Sequence, residues 1–391
     1  MVGNGGLRRT VGGLAVVGVA LAVAPGSTGA TGATGVRVPA FTDLGTLPGD
    51  AWSSAVAVNE QDVVVGSSGA GGAYQEIAVR WDADGVIAAL DPLPGHDRSV
   101  ANAVNDAGVA VGLSAVFSSP RAAVRWDARG TGTALSTPDG FTYGIAWDIN
   151  NSGSAVGHVG GAGTRAVRWA PDGTATLLPL PPGRTQSLAG GITDRGVVHG
   201  SAIGADGNGE PVRWDPDGTV TLLRALPGDR AAGVSAVGRR GTPVGGSVTA
   251  SRWSHAVRWD AEGTPAALGE LPGHTDSRAV TVNDFDVAAG YSHQDAGPKR
   301  AVRWDRTGVV TDLGVPPGYV HSEAVRINNA GQVVGVAEDS TGLHVRAIRW
   351  SHDDRAVELP APPGTARSRP TDLNSRGTVV GCAGDHAARW R

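Results

Sequence analysis

Ser99-Val100-Ala101-Asn102-Ala103-Val104-Asn105-Asp106-Ala107-Gly108-Val109-Ala110-Val111-Gly112 alternates small and β-branched residues on either side of an Asn-Asp-Ala-Gly turn. That is the pattern of a strand, a tight turn and a second strand. The same unit recurs eight times. Its closing glycine stands at Gly66, Gly112, Gly157, Gly200, Gly245, Gly290, Gly335 and Gly381, 17 residues after a turn glycine at Gly49, Gly95, Gly140, Gly183, Gly228, Gly273, Gly318 and Gly364 in every copy.

A third marker is an Arg-Trp pair ending at Trp81, Trp126, Trp169, Trp214, Trp259, Trp304, Trp350 and Trp390. From each of the first seven tryptophans to the next turn glycine is 14 residues, and this block reads as a second hairpin, as in Pro211-Val212-Arg213-Trp214, Asp215-Pro216-Asp217-Gly218, Thr219-Val220-Thr221-Leu222-Leu223. Length varies only between strand glycine and tryptophan, from 9 to 15 residues. Four short antiparallel strands in about 45 residues make one β-propeller blade. The expected fold is therefore all-β, an eight-bladed propeller of four-stranded blades over 41–391. Phe41-Thr42-Asp43-Leu44 matches a fourth strand, and the chain stops at Arg391 just after the third strand of the eighth unit. The N-terminal strand is expected to complete the last blade and close the ring, leaving no lone edge unit.

Composition agrees with a turn-rich chain: 60 glycines and 24 prolines in 391 residues, with no helical periodicity. A net charge of -4 offers no electrostatic case for nucleic acid. Residues 1–30 read as a secretory signal peptide: Arg8 and Arg9, a 13-residue apolar run, then small residues at Ala22-Val23-Ala24 and Thr28-Gly29-Ala30. The run is too short for a stable membrane span, and the Arg8-Arg9 pair leaves both the general and the twin-arginine route open. Residues 31–40 read as a flexible lead. The lone Cys382 excludes an intramolecular disulfide and reads as a small buried filler.

Leu47-Pro48-Gly49, the run 324–335 (Ala-Val-Arg-Ile-Asn-Asn-Ala-Gly-Gln-Val-Val-Gly) and His255-Ala256-Val257-Arg258-Trp259 together resemble the HAF-family extracellular repeat proteins. The resemblance covers nearly all of 41–391 and implies an exported repeat protein with no catalytic residues to carry over. The name-giving Phe is Val or Ala here; His survives at His255 and His386 and is Arg at Arg165 and Arg300. A looser likeness to Kelch-type propellers rests on the run 93–99.

Period-two alternation puts each tryptophan on one sheet face and its arginine on the other, so the tryptophans are expected to pack between blades. The arginines are expected to meet turn carboxylates or backbone carbonyls. Asp82-Ala83-Asp84-Gly85 and its equivalents read as plain β-turns. Asp206, Asn208 and Glu210, on alternate residues of a variable loop, are the one candidate metal site. Chemistry varies most after the turn glycine: Asp50, Trp52, His96, Asp97, Phe141, Tyr143, Arg184, Asp229, Arg230, His274, Asp276, Tyr319 and His321. The fixed Pro-Gly loops and the variable loops share one face of the disc, which makes these residues the candidate ligand-binding surface. Two copies are weak, with Thr193 and Gly238 in place of the turn asparagine and Pro243 inside a strand. The reading is an exported, monomeric, non-catalytic binding module without cofactor or catalytic residues, its ligand a glycan or another protein. Alternatives are a secreted hydrolase or lyase at the mouth of the central channel, and a structural envelope or matrix protein.

Overall fold

Why a glycine must stand within the second strand of every blade is a matter of one clash. The structure, a computed structural model, describes residues 38–71, 76–116, 121–294 and 297–391. The segment 1–30 and the lead as far as residue 37 lie outside them. In each blade the first two strands slip by one residue, as between Ala55 and Ala57 or Ala101 and Ala103. This bulge drives a carbonyl of the first strand at the facing backbone. A Cβ on Gly66 would lie 1.9 Å from the Ser54 oxygen, and one on Gly112 would lie 1.9 Å from that of Val100.

The described residues form eight four-stranded antiparallel sheets and no helix, an eight-bladed β-propeller. The inner strands of blades 1 to 8 are Trp52–Val58, Arg98–Val104, Phe141–Ile149, Arg184–Ile192, Ala231–Val237, Asp276–Val282, His321–Ile327 and Ser368–Leu373. Phe41–Asp43 pairs antiparallel with His386–Trp390, Phe41 facing Trp390, and so supplies the outer strand of blade 8. Side chains repeat the equivalence: His386 Nδ1 meets Asp43 Oδ2 at 2.9 Å where blade 6 pairs Arg300 with Asp312 and blade 7 pairs Arg346 with Glu358.

All eight repeat tryptophans are buried between blades, none more than 1% exposed. In every blade but the seventh, where Trp350 Nε1 has no partner among the described residues, the indole N–H ties the blade to the end of the preceding blade's outer strand: Trp81 donates to the Leu44 carbonyl at 2.6 Å, Trp126 to Asp91 at 2.9 Å and Trp259 to Arg224 at 2.6 Å. The arginines reach forward to turns of the next blade, Arg80 to the Ala128 carbonyl, Arg168 to Gly196 at 2.7 Å and Arg213 to Ala261 at 3.1 Å. A buried guanidinium without such acceptors would be costly.

Two expectations need correction. Pro243 does not break its blade: it opens the strand Pro243–Val248, where a missing N–H is tolerated, and that strand pairs in the same bulged register as the others. Cys382 is only half-buried, its Sγ 3.2 Å from Ser54 Oγ.

Candidate functional site

Most of the loop-face candidates are engaged within the chain. Asp50, His96 and His274 occupy one repeat position and brace the Pro-Gly loop: Ser68 Oγ donates to Asp50 at 2.6 Å, while His96 and His274 meet Ser114 and Ser292 hydroxyls at 2.8 and 2.9 Å. Arg184 pairs with Glu210, Asp229 with His255 at 3.5 Å, and Asp276 with His293 at 3.4 Å. Tyr319 donates to Glu358 at 2.8 Å, a bond that together with burial pushes the phenol up to about 12. His321 Nδ1 accepts the Lys299 N–H, Phe141 packs beside the Trp169 core, and Tyr143 lies edge-on to His158. Trp52, Asp97 and Arg230 make no side-chain hydrogen bond or ion pair among the described residues.

His321 and the partner of Asp276 meet in a 300 Å³ hollow between blades 6 and 7, with His293, Lys299 and Glu323 in its walls. Lys299 is spent there on Glu323 at 3.0 Å and lies 4.2 Å over the Tyr291 ring. The metal candidate is likewise self-satisfied: Asn208 donates its backbone and side-chain N–H groups to Asp206 at 3.1 and 2.7 Å, and Glu210 is held by Arg184. Among the described residues no group of three or more His, Cys, Asp or Glu is placed to hold a metal.

The larger site comes from a defect in the repeat. Two further ties run around the ring. One is a serine on the inner strand whose Oγ accepts an N–H from the third strand of the preceding blade, as Ser99 from Ala78 at 2.9 Å and Ser277 from Ala256 at 2.9 Å. The other is the turn asparagine, whose amide donates to the next blade's turn carbonyl, as Asn59 to Asn105 at 2.9 Å and Asn105 to Asn150 at 3.1 Å. Between blades 2 and 3 the serine is Gly144, but Asn105 remains. Between blades 5 and 6 the asparagine is Gly238, but Ser277 remains. Between blades 4 and 5 both are gone, because Thr193 replaces the asparagine, Ala232 replaces the serine and Pro211, which has no N–H, replaces the donor.

That joint is open on the variable-loop face. A 1060 Å³ cleft runs between the outer strand of blade 4 and the start of blade 5's inner strand, past Pro181, Asp206, Glu210, Leu222, Arg224, Arg230 and Glu262. It shares Gly209, Glu210, Pro211 and Ala232 with a 550 Å³ inner section lined by Trp147, Leu188, Gly190, His199 and Gly233. Blade 5's inner strand, with Ala231, Ala232 and Gly233 at its start, has no buried residue along its length. The joint still holds elsewhere, through the Trp259 and Arg213 ties.

Two residues that the sequence reading did not select shape the inner section. Trp147, 41% exposed, stacks on His158 with centroids 6.1 Å and planes 29° apart, and its Nε1 donates to His158 Nδ1 at 3.0 Å. Burial, with the Arg121 charge nearby, lowers the His158 pKa and keeps Nδ1 a bare acceptor. His199 stands where the other blades have Val65, Val111, Val156, Val244, Ala289, Val334 and Val380. Its Nδ1 has no partner, and burial pushes its pKa down to about 4. Gly191 makes the space, for a Cβ there would sit 2.5 Å from His199 Cε1 and 3.2 Å from Asp148 Oδ2. Comparing the copies position by position would have flagged Trp147 and His199 as breaks in the pattern.

Asp148 accepts the backbone N–H groups of Ile192 and Ile149, each at 2.8 Å, yet burial, with Asp372 adding repulsion, pushes its carboxyl up to about 6. Asp372, at the equivalent place in blade 8, accepts the Val58 N–H at 2.9 Å and lies 3.5 Å from Arg326.

No protein-family model matches the chain, and no curated protein matches it by sequence. Among solved structures it is similar to the Dos1 propeller, at TM-score 0.53 and 12% identity over 90% of this chain and 95% of that one. It is similar also to a puromycin hydrolase, at TM-score 0.52 and 15% identity, where it covers 85% of its own length and spans 58% of the hydrolase. A streptogramin B lyase structure aligns at TM-score 0.44 and 13% identity over 90% of this chain and 98% of that one. At these identities the likeness is one of propeller fold.

Proposed function

We propose that the chain is an exported recognition module, a propeller that binds its ligand on the face carrying the Pro-Gly and variable loops and performs no chemistry on it. The observation that supports this most is the cleft between blades 4 and 5, which opens on that face and is bordered by Arg230 and by Glu210, the partner of Arg184. Its walls belong to strands of two blades, so a ligand there meets a rigid frame. Export rests on the character of residues 1–30 and on the HAF-type repeat. Incubating the secreted protein with a glycan array and with polymer substrates tests the reading: retention without product release supports it, and product release overturns it.

Asp148 favours a second reading. In a 220 Å³ hollow with Thr193, His199 and Arg239, a carboxyl with a pKa near 6 can hold or give up a proton near neutral pH, as a hydrolase or lyase requires. Product release that Asp148→Asn abolishes would establish it.

A further inference from the structure

We propose that the cleft between blades 4 and 5 binds a neutral oligosaccharide, with one sugar ring stacked on Trp147. The proposal rests on the recognition reading above and adds the place and the ligand class. The opening is built rather than accidental, because its two walls changed together. Pro211 removes the N–H that a serine would accept and Ala232 removes the serine, so the separation leaves neither group of that pair orphaned.

The inner section offers a fixed flat platform. Trp147 is clamped by its stack and hydrogen bond to His158, so its orientation is set before any ligand arrives. Gly190 leaves the space beside it empty of side chain, and the His199 ring borders that space, its Nε2 3.8 Å from where a Cβ on Gly190 would lie. A ring hydroxyl can hydrogen-bond to that edge of the imidazole.

The outer section decides the charge of the ligand. Arg224 and Arg230 stand there with Asp206, Glu210 and Glu262, and Arg184, behind the lining, neutralises Glu210, so the charges balance. A balanced set of planar donors and acceptors suits hydroxyl groups and gives no net attraction to a carboxylate or sulfate.

The test is titration calorimetry of the full secreted protein with neutral gluco-, manno- and galacto-oligosaccharides, a uronate oligosaccharide and an unstructured peptide. Three variants accompany it: Trp147→Ala, Gly190→Leu, which projects into the cleft without a backbone clash, and Phe285→Ala, an exposed side chain in a turn of blade 6. At least one neutral oligosaccharide is expected to bind, about tenfold or more weaker in Trp147→Ala and Gly190→Leu but unchanged in Phe285→Ala. Unchanged melting temperatures would show that the variants fold. Binding only of the uronate or the peptide overturns the ligand class. Neutral-sugar binding retained in the cleft variants overturns the site while leaving the recognition reading intact. Product release from the polymer panel overturns that reading itself.

Discussion

The joint between blades 1 and 2 and the joint between blades 4 and 5 are made from the same repeat and differ at three of the positions that fasten them. At the first, Ser99 takes the Ala78 N–H, Asn59 bridges to the Asn105 carbonyl, and Trp126 ties back to Asp91. At the second the tryptophan and arginine ties remain, with the Arg224 N–H donating to the Gly263 carbonyl at 3.0 Å, and a cleft of 1060 Å³ takes the place of close packing. A propeller blade is thus fastened at several separate points. Losing the serine tie beside the loop face and the asparagine tie at the opposite turns leaves a slot without breaking the ring.

The tryptophan ties should be equal at the two joints, and this is where the comparison is easiest to break. Trp126→Ala and Trp259→Ala are each expected to cost about 3–5 kcal/mol in chemical denaturation. A much cheaper Trp259 would mean that the second joint is loose throughout rather than on one face.

The acid response separates the joints next. His199, with a folded pKa near 4 against an ordinary 6.5, loses stability as pH falls from 6.5 toward 4. Asp148, raised from 3.8 to about 6, gains stability as pH falls through the same window. The two slopes oppose each other in the native chain. His199→Val, which installs the residue of six other blades, should unmask Asp148, making the variant more stable at pH 4.5 than at pH 7 by about 2 kcal/mol. Melting curves at the two pH values decide it, and a variant that still weakens in acid contradicts the assignment.

Asparagine ties should be transferable between joints. Asn105→Ala removes both the bridge to Asn150 and the acceptor for the Val109 N–H, and should cost about 1–3 kcal/mol. Gly238→Asn should return about 1 kcal/mol by reaching the next blade's turn. No gain in urea midpoint would show that the turn geometry of blade 5 has itself diverged.

The serine tie gives the smallest effect and the sharpest logic. Ala232→Ser alone should change stability by about zero, because Pro211 has no N–H to offer. Ala232→Ser combined with Pro211→Ala should gain about 1 kcal/mol, a coupling that a double-mutant cycle measures. Equal effects in both backgrounds would mean that the two positions do not face each other.

The blade count, the ring closure and the role of the tryptophans were legible because each rests on local spacing or on a residue type repeated eight times. The loop face was legible as a surface, since the variable segments had to emerge together. Its chemistry was not. His96 and Asp50 look like ligand groups in the chain, but each lies 18 positions from the serine hydroxyl that engages it. The weak copies were visible at Thr193, Gly238 and Pro243, yet Pro243 proved harmless, and Pro211, which matters more, sat in a well-formed hairpin.

Periodicity carried the architecture because a repeat applies the same steric and hydrogen-bonding demands at each turn of the chain, so a strand glycine or a buried tryptophan announces itself by recurrence. The cleft came from folding alone. Pro211 and Ala232 lie on different strands, and Trp147 and His199 on different blades. Losses at such positions add up only when the ring sets the two walls against each other.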